Sequence, residues 1–152
     1  MQNEQQFSDK ITIGGRPDTA EIEKLHARGF KTIINLMTPD EPGFAGEELA
    51  VENTGMTYSS IPIAPKLLDE AAMARFSQAI ESSDGPVAVH CKSGGRAGVL
   101  SLLHLAVSHG WNRETALREA QEMGVKIGPE SPYRAFFESY IGRHSTGERG
   151  DY

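Results

Sequence analysis

The run His90-Cys91-Lys92-Ser93-Gly94-Gly95-Arg96 gathers the chain's one thiol, a glycine pair and an arginine into seven consecutive positions. A free cysteine titrates near ~8.5, and a helix N-terminus with a cation nearby lowers that by one to several units, giving the nucleophilic thiolate. Backbone N–H groups of a tight loop ahead of a helix converge into an anion-binding nest. Gly94 and Gly95 allow positive φ and the close approach of an anion. Arg96 can close the ring with a forked guanidinium, and Lys92 adds positive potential at the rim. His90 precedes the thiol, so its side chain points the other way and is expected to hold the loop by a hydrogen bond. A lone cysteine is by itself more often a small core residue, and a Gly-Gly pair is usually a turn. Together in this order they point to a reactive, anion-binding cysteine.

Such a loop must be carried by a strand that hands over to a helix. Pro86 to His90 is the apolar strand, and Val99 to Val107 is a helix apolar almost all round, as for a central helix on a sheet. Upstream, Lys10 to Gly15 reads as a first strand. A helix follows, opened by Asp18 or Thr19, with Ile22, Leu25 and His26 on one face. Lys31 to Met37 and Thr57 to Ile63 are further strands, separated by a helix over Ala45 to Asn53. Asp69 caps a helix running to about Ser82. Helices over Arg113 to Met123 and Pro132 to Arg143 complete the pattern, the last with Ser131 as cap and proline in its first turn. Strands alternating with helices imply a three-layer α/β/α domain with a mostly parallel central sheet. Residues 1–152 read as one domain, with residues 1–6 a polar leader and 145–152 a frayed tail, both expected to be flexible.

The 152 residues carry a net charge of −6, which argues against nucleic acid and anionic membranes as partners. No apolar run reaches membrane length, and Met1 to Gln6 lacks signal-peptide character. One cysteine rules out an internal disulfide and a Cys-rich metal site. His26, His104 and His109 have no carboxylate or histidine at ligand spacing. The expectation is a cytoplasmic protein without metal or cofactor. Trp111, Tyr133, Phe136, Phe137 and Tyr140 are spaced for core packing. Tyr133 or Arg134, and the loop from Gly124 to Ser131, are the outlying candidates to border the thiol.

His90 to Arg96 resembles the signature loops of the cysteine-dependent phosphatase superfamily and of rhodanese sulfurtransferases. Those phosphatases place five residues between cysteine and arginine. Here there are four, Lys92 to Gly95, the rhodanese spacing. The rest of the chain is not rhodanese-like. Ile11 to Pro17 (ITIGGRP), Gly29 to Leu36 (GFKTIINL) and Gly85 to Cys91 (GPVAVHC) resemble dual-specificity phosphatases. More narrowly they resemble beta-lactamase-hydrolase-like phosphatase-like domains, some of them fused to persulfide dioxygenases. The resemblance covers roughly residues 7 to 140 and implies a cysteine-phosphatase-like fold. In that narrower family the short loop recurs, and sulfur transfer has been proposed for it.

Two departures favour sulfur transfer. A loop one residue shorter has one N–H fewer for a tetrahedral phosphate, and suits a persulfide's terminal sulfur better. Dual-specificity phosphatases also place a general-acid aspartate where this chain has Ile63-Ala64-Pro65-Lys66, and such proton transfer is commonly worth about 10²–10⁴-fold. Asp69 reads first as a cap; Asp40 and Glu41 sit on another loop and could swing in, although solvated loop carboxylates are the commoner case. The expected enzyme is therefore a thiosulfate or persulfide sulfurtransferase. Cys91 takes sulfane sulfur from a small donor such as glutathione persulfide or thiosulfate, held by Arg96 and the loop Lys92-Ser93-Gly94-Gly95. With no second cysteine, the acceptor is an external thiol, and a persulfide dioxygenase is the implied companion. The alternative is a tyrosine or dual-specificity phosphatase working through a Cys91 phosphocysteine, with Ser93 assisting the leaving thiolate. A third reading is an idle phosphoanion-binding module, against which an intact Cys91 and Arg96 weigh.

Overall fold

The computed structural model describes residues 1–144, so the tail expected over 145–152 lies outside the described residues. Five strands, β1 (Gln5–Gln6), β2 (Ile11–Gly14), β3 (Thr32–Asn35), β4 (Thr57–Ser60) and β5 (Val87–His90), form one sheet in the order β1-β2-β5-β3-β4. All neighbours run parallel except β1, which pairs antiparallel with β2. Six helices cover it: α1 (Thr19–Ala27), α2 (Glu47–Glu52), α3 (Glu70–Glu81), α4 (Gly95–His109), α5 (Arg113–Glu122) and α6 (Arg134–His144). The mostly parallel three-layer architecture is the one expected.

Side-chain alternation along the central strands divides the core. Val87, Val89 and Ile34 face the larger cluster, with residues of α3, α4, α5 and α6. Ala88 and Ile33 face the smaller one, with Ile22 and Leu25 of α1 and Val51 of α2. In α4 Leu100, Leu102 and Leu103 are fully buried, each worth about 1.5–3 kcal/mol of apolar burial. This fixes the helix whose N-terminus carries the loop. Among the described residues no helix is long and apolar enough to cross a membrane.

Several boundaries differ from the sequence reading. In place of a leader over residues 1–6, Gln5 and Gln6 pair with Ile13 and Thr12. Strand β3 runs to Asn35, whose side-chain oxygen accepts the Met37 amide at 2.8 Å, while the Leu36 amide still donates to the His90 carbonyl at 2.9 Å. His26 is exposed: one residue past Leu25, it has rotated off the apolar stripe. Helix α6 starts at Arg134, since Ser131 Oγ accepts the Tyr133 amide (3.2 Å) in a turn that precedes it.

The register brings the ends of three strands level. His90 stands opposite Gly14 of β2 and Asn35 of β3. The segments leaving β2, β3 and β5 therefore meet at the carboxyl edge of the parallel strands, where open α/β sheets place their ligands.

Candidate active site

Cys91 follows β5 directly and is buried, 1% exposed. Its Sγ accepts the backbone N–H of Gly94 at 3.1 Å. Gly94 is the N-cap of the 15-residue α4, with φ 108°, a conformation that favours glycine. Of the two glycines whose freedom the sequence reading invokes, only Gly94 uses it. Gly95 is the first helical residue and has no positive φ. Lys92 and Ser93 are exposed, consistent with a cationic rim at Lys92.

A residue not singled out in the sequence supports the loop from beneath. A Cβ on Gly15 would stand 2.9 Å from the Lys92 carbonyl oxygen and 3.2 Å from the Ser93 Cα. Gly15 thus lets the segment after β2 run close to the loop, and the Arg16 amide donates to that Lys92 carbonyl at 3.2 Å.

His90, the last residue of β5, is fully buried and directs its ring to Glu47. Its Nδ1 contacts the Cys91 carbonyl at 3.3 Å, and its Nε2 lies 2.5 Å from Glu47 Oε2. A proton between Nε2 and Oε2 ties the ring to Glu47. Nothing local in the sequence marks Glu47 for this role; it comes from the start of α2 and is itself buried.

Arg96 is held in a defined way. Its Nη1 donates to Glu41 Oε2 (2.8 Å) and to the Ile63 carbonyl (3.0 Å), and its Nη2 donates to Glu41 Oε1 (2.8 Å). Of the five guanidinium N–H groups, three are used among the described residues. The two left, on Nε and Nη2, share one edge of the plane and form a parallel fork for an oxyanion. The bond to Glu41, more than any other influence, raises the Arg96 pKa.

The reading of Glu41 as a solvated loop carboxylate is corrected by its contacts. Besides Arg96 it accepts from the Thr38 amide (2.7 Å) and hydroxyl (3.0 Å). Its pKa is lowered to about 2, chiefly by the Arg96 hydrogen bond. So tightly ionised, it cannot donate a proton near neutrality. Asp40 is exposed and accepts from Thr38 Oγ1 at 2.6 Å. Asp69 caps α3 by accepting the Ala72 amide at 2.8 Å, as expected.

Cys91 and Arg96 open onto a cavity of about 340 Å³ whose wall includes Ser93, Lys126, Ser131 and Tyr133. The loop over 124–131 therefore reaches the site. Tyr133 borders it, while Arg134 turns away to the Ile127 carbonyl and Glu138. Burial raises the Tyr133 pKa, and nearby Arg96 opposes that.

A buried thiol on a strand-to-helix loop with a tethered arginine, set in this sheet order, fits a protein-tyrosine-phosphatase-like fold. Comparison with known proteins narrows this. The model of the family "Beta-lactamase hydrolase-like protein, phosphatase-like domain" matches residues 5–108, and the chain belongs to that family. A beta-lactamase hydrolase-like protein of Xylella fastidiosa is 31% identical over 126 residues, which is 80% of this chain and 29% of that one. The chain thus spans less than a third of that relative. The dual specificity protein phosphatase TpbA of Pseudomonas aeruginosa is 25% identical over 121 residues, 78% of this chain and 52% of its own. The TpbA crystal structure superposes with TM-score 0.73 at 18% identity, covering 97% of this chain and 91% of TpbA. That of PTPMT1 gives 0.77 at 14%, covering 95% and 97%. These two structural likenesses speak for the fold.

Proposed function

We propose that the chain is a cysteine-dependent phosphatase. The Cys91 thiolate attacks the phosphorus of a phosphate monoester, forming an S–P bond as the ester P–O bond breaks and the alkoxide or phenoxide departs, to be protonated by water. Water then attacks the phosphocysteine, releasing inorganic phosphate and restoring the thiolate. The carrying observation is the free Nε/Nη2 edge of Arg96 beside a sulfur that already accepts a loop amide. The fork would bind the non-bridging oxygens, and the loop amides would stabilise charge developing on them. The named phosphatase TpbA and the family's phosphatase-like description support this over the sulfurtransferase expected from the loop. A single thiol that must stay reduced fits a cytoplasmic setting.

Sulfur transfer stands second, favoured by the four-residue spacing from Cys91 to Arg96 and by the loss of Glu41 as an acid. In that reading Cys91 takes sulfane sulfur from glutathione persulfide or thiosulfate and passes it to an external thiol, and a persulfide dioxygenase would work alongside. Two measurements on one preparation separate the readings: phosphate release from 4-nitrophenyl phosphate, and intact mass after brief exposure to glutathione persulfide. Turnover that Cys91→Ser abolishes supports the phosphatase. No turnover, with one sulfur gained on Cys91 and removed by excess thiol, would overturn it in favour of transfer.

A further inference from the structure

One peptide unit of the cysteine loop is bonded at both ends. The planar trans unit joining Ser93 to Gly94 points its carbonyl and its N–H in opposite directions. Its N–H donates to Cys91 Sγ at 3.1 Å, and its carbonyl accepts from Asn3 Nδ2 at 2.9 Å. Among the described residues no other hydrogen bond reaches that carbonyl.

Turning this peptide over would set the carbonyl oxygen against the sulfur and withdraw the donor. Such a turn changes φ at Gly94, and glycine accepts either sign of φ. Backbone sterics therefore do not hold the plane, whereas the bond from Asn3 does. Hydrogen bonds in a chain also polarise one another, which strengthens the N–H that meets the thiol.

Asn3 is itself fixed in place. It is the one non-glycine residue with positive φ, 52°, among the described residues, a conformation that asparagine adopts more readily than most. The Gly15 amide donates to the Gln2 carbonyl at 2.7 Å, and Gln5 and Gln6 pair with β2. A Cβ on Gly14 would stand 2.6 Å from Met1 Cβ, and one on Gly15 3.2 Å from Gln2 Cβ. The bare Gly14-Gly15 pair thus lets residues 1–3 pack against the end of β2, within reach of the cysteine loop.

We propose that Asn3 is a positioning residue for the nucleophile: by fixing the Ser93–Gly94 peptide it keeps that N–H on Cys91 Sγ and so favours the thiolate. A hydrogen bond donated to the charged form of a titrating group stabilises that form. The inference rests on the proposed function only in taking Cys91 as the reactive thiol, and it applies to phosphoryl and sulfur transfer alike.

The test reads the thiolate apart from turnover. The chain has one cysteine, so intact mass after timed exposure to iodoacetamide gives the alkylation rate of Cys91 alone. Rates are taken from about pH 5 to about pH 10, a range that spans the ordinary thiol titration. The proteins are the wild type, Asn3→Gly and Asn3→Asp, with folding checked by circular dichroism. Asn3→Gly keeps the left-handed backbone and removes the donor. Asn3→Asp keeps the shape and sets an acceptor against the carbonyl; high salt screens its added charge.

Arg96 (held by Glu41), Tyr133 and Lys126 line the thiol's cavity, with Lys92 on the loop and His90 at the strand end. All are common to the three proteins, so a displaced profile reports the peptide. The midpoint should rise by about half a unit to one unit in Asn3→Gly, lowering the rate at the acid end about three- to tenfold while the alkaline plateau is kept. Asn3→Asp should move it further. An unmoved midpoint in either folded variant, or a rate lowered equally at every pH, overturns the proposal. Turnover of 4-nitrophenyl phosphate by the wild type is followed in parallel. Turnover with an unmoved midpoint rejects the role of Asn3 and keeps the phosphatase; a moved midpoint without turnover does the reverse.

Discussion

Glu41 meets Arg96 through both carboxylate oxygens, each 2.8 Å from a guanidinium nitrogen, with both side chains about four-fifths buried. Glu41 comes from the loop after β3 and Arg96 from the first turn of α4, so the contact couples these two segments. Its chemical effect is orientation: Glu41 and the Ile63 carbonyl occupy one side of the guanidinium and leave the Nε/Nη2 edge for an anion.

Glu41→Gln removes the charge while keeping the shape, so Arg96 should lose its fixed plane. Misplacement of a positioning group by about an ångström can cost 10²-fold. The expected result is a fall in kcat/KM of about ten- to a hundredfold, with Glu41→Asp recovering part of it. Unchanged kinetics in Glu41→Gln would mean that Arg96 is oriented without it.

The same pair sets a pH window. Glu41 titrates at about 2 in the fold against an ordinary value of 4.5. A depressed carboxylate contributes stability that is fully present above its unfolded pKa and lost as pH falls through the folded one. The melting-temperature advantage of the wild type over Glu41→Gln should be constant above about pH 5. It should shrink between pH 4.5 and about 2. An advantage undiminished near pH 2 would contradict the assignment.

Gly94 and Gly95 should respond differently to alanine. At φ 108°, a side chain on Gly94 is strained by about 1–3 kcal/mol, and the amide that meets Cys91 Sγ would shift. Gly95 is helical, and a methyl group added there would have no neighbour within 4 Å, so Gly95→Ala should change stability by no more than about 0.5 kcal/mol. Urea melts of the two variants check this; similar losses would be inconsistent with the loop conformation described.

Glu47→Ala would leave His90 without its partner in a site where His90 is 0% exposed. Removing one member of a buried pair costs about 3–5 kcal/mol. The loss should be visible as a lowered denaturation midpoint, and turnover should fall too, because His90 Nδ1 contacts the Cys91 carbonyl. A midpoint like that of the wild type would show that the pair carries little.

What is legible in the sequence is local. The strand, the thiol, Gly94 and α4 follow one another without a break, and Asp18 and Asp69 cap helices that begin at the next residue. The partners that give the loop its chemistry lie far along the chain. Glu41 is 55 residues from Arg96, Glu47 is 43 from His90 and Asn3 is 90 from Ser93. Each sits in a segment whose local pattern reads as an ordinary solvated turn or helix start. Their roles arise only because β2, β3 and β5 end level. A carboxylate on the Glu41 loop can be suspected of reaching the site, but its ionised state follows from a contact with no local signature.

That ionised state bears on which esters the proposed phosphatase would cleave. Glu41 is held as a carboxylate and Asp69 is occupied as the α3 cap. Among the described residues lining the Cys91 cavity, none is a carboxylic acid. A leaving alkoxide would thus depart without a carboxyl proton, which disfavours alcohols of high pKa. Across a series of aryl and alkyl phosphates, kcat/KM should fall steeply as the leaving-group pKa rises, and simple alkyl phosphates should be slowest. Asp69→Ala should lower stability by about 1 kcal/mol through loss of the cap and leave that slope unchanged. A shallow slope that steepens in Asp69→Ala would instead make Asp69 the acid, requiring the start of α3 to unwind toward Cys91 during turnover.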